Sequence, residues 1–142
     1  MYKHILVAVD LGHPTSWRRS FPIAEMMAKA SGAKLSIVTV VPNFGMSVVG
    51  SFFPKDFEEK ALSNAKEQLE ETVAANLDLD LVETVHVAHG TIYEEIIDVA
   101  DKLGSDLIIL SSHRPELKDY LLGPNAARVA RHANQSILIV RE

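Results

Sequence analysis

Five short apolar runs recur along the chain: 4-HILVAV-9, 34-KLSIVTVV-41, 81-LVETVHVA-88, 106-DLIILSS-112 and 136-SILIV-140. The first, second, fourth and fifth are nearly continuous in Val, Ile and Leu, the pattern of strands covered on both faces in a parallel sheet. The third alternates, with Val85 and Val87 apolar and Thr84 and His86 more polar. It predicts a strand with one wetter face, suited to a sheet edge.

Helical periodicity separates these runs. Between Asp56 and Asn76, Phe57, Ala61, Leu62, Ala65, Leu69 and Val73 recur at three- and four-residue steps and form one helix face. Ile92, Ile96, Val99, Ala100 and Leu103 do the same, with Gly104 as a natural C-cap. Ala126, Val129, Ala130 and Ala133 mark a third helix from Asn125 to His132. Thr15 to Ser31 is less regular because Pro22 lacks an N–H and crowds the preceding turn. Either the helix starts near Ser20, with Pro22 in its first turn, or it kinks at Pro22; Gly32 ends it. The segment 42-PNFGMSVVGSFFP-54 is unusually apolar for a loop. It reads as a lid or partner surface, or as a loop that tucks Phe52 and Phe53 into the core.

Alternating strands and helices predict a doubly wound α/β domain with a parallel sheet. A chain of 142 residues is most simply one such domain, residues 1–142. In these sheets ligands lie beyond the carboxyl ends of the strands, where strand order reverses. The candidate positions are therefore Asp10, Val40, Val41, Gly90, Ser111, Ser112, His113 and Arg114.

Composition removes several classes. No apolar run approaches the roughly 20 residues of a membrane span, and MYKHILVAVD meets an aspartate too soon for a signal peptide. With no cysteine there is neither a disulfide framework nor a thiolate metal site, which fits a cytoplasmic home. Net charge is -5 with no cluster of Lys or Arg, so nucleic-acid binding is set aside.

Motifs remove others. The first strand is followed by 10-DLGHPTS-16, not G-x-G-x-x-G, and no G-x-x-x-x-G-K-[ST] occurs. A phosphoacceptor receiver needs an acidic pair after the first strand and an aspartate ending the third; Asp10 stands alone and 87-VAHG-90 has no carboxylate. His86 and His89 lie three apart on a strand, point to opposite faces and read as exposed polar residues rather than as a metal pair. Ser111, His113 and Asp119 lack the elbow motif of a hydrolytic triad. No catalytic residue is assigned, and turnover is limited at most to weak ATP hydrolysis.

What remains is 111-SSHRPELKDYLLGPNAARVARHANQSILIV-140. A helix beginning near Pro124 offers free N–H groups and a partial positive charge, an anion site. Proline is well tolerated at the first helical position. Gly123 lets the backbone approach a ligand, and Arg114 can grip a phosphate with two donors. The same features also suit a plain connection between two core elements. Asp10 likewise reads either as a ligand-binding carboxylate or as a turn former before Gly12.

The chain resembles the universal stress protein family, and especially its short, single-domain ATP-binding branch. The resemblance runs through 5-ILVAVD-10, 39-TV-40, 90-GTIYEEIIDVADKLGSDLIIL-110 and 120-YLLGPNAARVARHANQSILIV-140. It implies an open five-stranded parallel sheet in the order 3-2-1-4-5, with helices on both faces. It implies an adenine nucleotide, ATP or AMP/ADP, with or without Mg, lying between strands 1 and 4. By that resemblance Ala8 and Val40 meet the adenine, Asp10 and Ser111 the ribose, and Arg114, Gly123, Asn125 and Ala126 the phosphates. Val9, Gly90, Ser112, His113 and Pro124 complete the implied site.

The family's ATP-binding motif is G-2x-G-9x-G-[ST]. Here its first glycine is Ser111, its second is Arg114, the spacer to Gly123 is eight residues, and Pro124 replaces the final Ser or Thr. Pro124 is the largest departure, because it brings neither a hydroxyl nor an N–H. Two functions follow: a nucleotide-dependent stress-response switch or signalling module, or a nucleotide-free homodimeric interaction module of the same fold. In either, the run 136–140 is expected at a sheet edge, where an apolar strand invites homodimer pairing.

Overall fold

Along the first strand, alternate side chains enter different cores. Ile5, Val7 and Val9 pack on one side of the sheet, Leu6 and Ala8 on the other. A computed structural model describes residues 1–42, 56–112 and 123–141. The strands are β1 (His4–Val9), β2 (Lys34–Pro42), β3 (Val82–Gly90), β4 (Leu107–Ser112) and β5 (Ser136–Arg141). The helices are α1 (Thr15–Arg18), α2 (Ser20–Ser31), α3 (Phe57–Asn76), α4 (Ile92–Leu103) and α5 (Gly123–His132). All strand pairs are parallel, and the sheet order is β3-β2-β1-β4-β5.

The first core joins Phe21, Ala24 and Ala28 of α2 and Leu69 and Val73 of α3 to β1, β2 and Ile109 of β4. The second joins Ile96, Val99 and Ala100 of α4 and Ala126 and Val129 of α5 to Leu6, Ala8, Val38, Ile108 and Leu110. Helices therefore cover both faces, and β1 lies at the centre of the sheet with every residue buried.

Pro22 occupies the first turn of α2, where a missing N–H costs no helical bond. The preceding residues form the separate short helix α1, and the break falls at Arg19. Gly32 and Gly104 close α2 and α4 in the left-handed conformation, with φ of 74° and 69°.

The fifth run departs from its expected double coverage. Ile137, Leu138 and Ile139 are only half-buried, because β5 has a strand neighbour on one side alone. β3 is the other edge; His86 is exposed between half-buried Val85 and Val87 as its pattern suggests, but Thr84 is half-buried like Val85, so the burial does not strictly alternate. Of the apolar segment 42–54, Pro42 ends β2; Phe52 and Phe53 lie outside the described residues.

Candidate functional site

After β1 the chain builds outward through β2 to β3, then returns to place β4 on the other side of β1. The strand order reverses at β1, and loops diverge there to leave a crevice. A cleft opens at that point, lined by Ala8, Val9, Asp10, Val38, Val40, Pro42, Ile92 and Ile96. It encloses about 390 Å³, counting space open to solvent, within the range of small-molecule sites.

Its walls follow from two periodicities. Val38, Val40 and Pro42 alternate along β2 and so share one face. Ile92 and Ile96 are one turn apart at the start of α4. Sequence reasoning named Val40 but missed Val38, Pro42 and the two isoleucines as cleft residues. For Val38 and Pro42 the even-numbered register of β2 carried that signal, since it places those two with Val40. Val9 sends its side chain into the opposite core.

Asp10 follows β1 at the polar end of the cleft. Its Oδ1 accepts the Gly12 N–H at 3.0 Å, and its Oδ2 lies 2.9 Å from His13 Nδ1. The Asp10 carbonyl accepts the His13 N–H at 3.0 Å, closing a tight turn. Asp10 is thus a turn former as well as a cleft residue. Its backbone is pinned by Ser16, which is fully buried: the Ser16 hydroxyl accepts from the Asp10 N–H and donates to the Asp10 carbonyl, both at 2.9 Å. Neither Ser16 nor His13 was singled out from the sequence. Their role depends on a chain reversal that hydrophobic spacing does not encode.

Ser111 is buried, and its hydroxyl donates to the Ser16 carbonyl at 2.9 Å. This bond ties β4 to α1. Ser112 ends β4 and is half-buried. His113 and Arg114 lie outside the described residues.

Gly90 ends β3 opposite Pro42, with φ of 146°. That φ favours glycine, and a Cβ there would also stand 2.7 Å from Glu95 Oε1, so the Glu95 side chain would have to turn aside. Glu94 and Glu95 occupy the first turn of α4, already opposing its positive end. The first turn of α5, with Gly123, Pro124, Asn125 and Ala126, has no acidic residue. Of these two helix starts, α5 is therefore the better anion receiver. Ala126 is buried against the sheet, and Asn125 is half-buried.

His89 is not the exposed residue expected: it is half-buried, with Nδ1 2.9 Å from Glu58 Oε1 at the start of α3. His86 is exposed. Among the described residues, no three His, Asp or Glu side chains converge as a metal site. None of the described helices is long and apolar enough to cross a membrane.

The universal stress protein family model matches residues 1–141. Universal stress protein G of Shigella flexneri is 31% identical over 144 residues, spanning 99% of this chain and all of that one. The fold is similar to that of a hypothetical protein whose biochemical function was assigned from its structure. That pair has a TM-score of 0.72 and 26% identity, and covers 100% of this chain and 97% of the other. A universal stress protein solved in complex with cAMP gives a TM-score of 0.59 at 26% identity, covering 99% and 97%. With a family match over almost its whole length and the family's sheet order, the chain belongs to the universal stress protein family.

Proposed function

We propose that this protein binds an adenine nucleotide, ATP or AMP/ADP, in the cleft at β1 and acts as a nucleotide-dependent stress-response switch or signalling module. The carrying observation is the cleft itself. An apolar slot formed by Ala8, Val38, Val40, Ile92 and Ile96 ends at the carboxylate of Asp10. Such a slot suits a flat, weakly polar base, and a carboxylate at its end suits paired ribose hydroxyls. Phosphates would extend toward the acid-free start of α5, where the N–H groups of Asn125 and Ala126 and the close-approaching backbone of Gly123 receive charge. Arg114 would add a bidentate cation. Any Mg would ride mainly on the phosphates and water. The relative solved with cAMP supports the adenine and ribose part of this reading.

No general base is assigned, so the reading is binding rather than rapid turnover, and it goes with a cytoplasmic location. The test is to denature the purified protein and identify released small molecules by mass spectrometry, then to titrate nucleotide by calorimetry. Bound adenine nucleotide is expected. Asp10→Ala should lose roughly 1.5–3 kcal/mol of affinity, the range for hydrogen bonds to a charged group. Unchanged affinity would remove Asp10 from the site, and no binding at all would favour the nucleotide-free interaction module.

The same reading includes a homodimer through β5. Its Ile137, Leu138 and Ile139 are half-exposed at a sheet edge. The β3 edge is capped at one carbonyl instead: Lys66 Nζ donates to the Val85 carbonyl at 2.5 Å. Sedimentation at micromolar concentration should give a dimer that Ile139→Lys dissociates; a wild-type monomer would refute it.

A further inference from the structure

In the turn after β1, two residues hold the Asp10 side chain from separate sides. The Gly12 N–H bonds to Oδ1 at 3.0 Å, while His13 Nδ1 lies 2.9 Å from Oδ2. A carboxylate only accepts hydrogen bonds, so the His13 ring carries its hydrogen on Nδ1. His13 reaches this place because its own N–H closes the turn onto the Asp10 carbonyl at 3.0 Å. The following Ser16 N–H then bonds to the His13 carbonyl at 2.9 Å. With Ser16 fixing the Asp10 backbone, both halves of the aspartate are constrained.

We infer that His13 is a positioning residue, which orients the Asp10 carboxylate for the two ribose hydroxyls of a bound nucleotide. The inference rests on the nucleotide reading above and deepens it. Each carboxylate oxygen has a second lone pair, so the bonds from Gly12 and His13 leave room for two more donors. The Asp10 side chain is 16% exposed and lines the cleft, whereas that of His13 is 37% exposed beside it. His13 thus acts from outside, through Asp10, rather than on the ligand. Without it, Oδ2 loses its tether and the carboxylate must be ordered at the moment of binding. That cost is about one immobilised side chain, or roughly two- to tenfold in affinity.

The experiment compares ATP with 2′,3′-dideoxy-ATP, which lacks both ribose hydroxyls. Both are titrated into wild type, His13→Ala and His13→Asn, with melting curves confirming that each variant folds. Asparagine can place an amide N–H near the position of Nδ1. Wild type should prefer ATP over the dideoxy analogue. His13→Ala should weaken ATP about fivefold and leave the analogue unchanged, and His13→Asn should restore much of the loss. Equal weakening of both ligands would mean a merely structural role and overturn the inference. Unchanged or tighter ATP binding by His13→Ala would overturn it as well. If wild type binds both ligands equally well, the inference falls while nucleotide binding stands; if it binds neither, both readings fall.

Discussion

Polar groups gather at both ends of β1, yet the two ends are built differently. At the carboxyl end, Asp10, Ser16 and Ser111 form a bonded set that borders an open cleft. At the amino end, His4 is buried between two serines. Its Nδ1 lies 2.7 Å from Ser105 Oγ, and its Nε2 lies 2.8 Å from Ser36 Oγ and 3.2 Å from Glu83 Oε2. Because the carboxylate accepts, Nε2 carries the hydrogen, and in the neutral ring Nδ1 accepts from the Ser105 hydroxyl. Asp106 completes this end by accepting the N–H groups of Lys3 and His4 at 2.9 and 3.1 Å. These groups tie together residues from four neighbouring strands or their entrances. Buried polar residues alone therefore do not mark a ligand site. What distinguishes the carboxyl end is that divergence of the chain at β1 leaves space beside them.

The largest expected effect belongs to the amino end. His4→Ala would strip partners from Ser36, fully buried, and Ser105, 6% exposed, and would leave a cavity. Each orphaned buried group costs roughly 1–3 kcal/mol, and the cavity adds to it. A loss of about 3 kcal/mol is expected, seen as a fall of roughly 10 °C in Tm. Nucleotide affinity of the folded variant should not change. If affinity fell with stability in a titration well below the new Tm, the two ends would be coupled and the contrast would fail.

At the carboxyl end the balance should invert, and Pro124 is the position to test it. Pro124 lies in the first turn of α5 and has no N–H. A serine there would give a bound phosphate a hydroxyl and an N–H. A hydrogen bond to a charged group contributes roughly 1.5–3 kcal/mol, against roughly 0.4–1 kcal/mol lost with the rigidity of proline. Pro124→Ser should therefore tighten ATP about tenfold while slightly lowering the Tm of the nucleotide-free protein. The check is direct titration of both proteins; equal or weaker binding by the variant would remove phosphate from the start of α5.

The two ends also differ in how much of them could be read from the sequence. Runs such as ILVAV and LIIL are apolar at every position, so their place in a parallel sheet depends little on distant context. Gly32, Gly104 and the Pro22 punctuation are local rules that hold wherever the chain folds. Asp10 was legible because it ends such a run. His4 was not, since it reads as the polar start of an apolar strand. Its partners Ser36 and Ser105 are 32 and 101 residues away. His13 and Ser16 were missed for a related reason: their meaning comes from a turn geometry that spacing does not specify. The half-covered state of β5 likewise depends on what stands beside it, not on its own five apolar or small residues.

The smallest effect returns to the amino end, at Asp106. Burial pushes its carboxyl up, but the N–H groups of Lys3 and His4, with its own N–H, outweigh that and leave it below its ordinary value of 3.8. A carboxyl with a lowered folded-state pKa stabilises the fold above its unfolded pKa, and that contribution is lost as pH falls through the folded value. Asp106 is only half-buried, and solvent screens its charge, so its contribution should be about half a kcal/mol. Asp106→Asn keeps one acceptor for the two N–H groups but removes the charge. At neutral pH the variant should be slightly less stable than wild type in urea. Below about pH 4 the difference should shrink, because the wild-type carboxyl is then itself being protonated. A stability gap that stays constant from pH 7 to pH 3 would mean that Asp106 acts through hydrogen-bond geometry alone, and that charge takes no part in closing this end of the sheet.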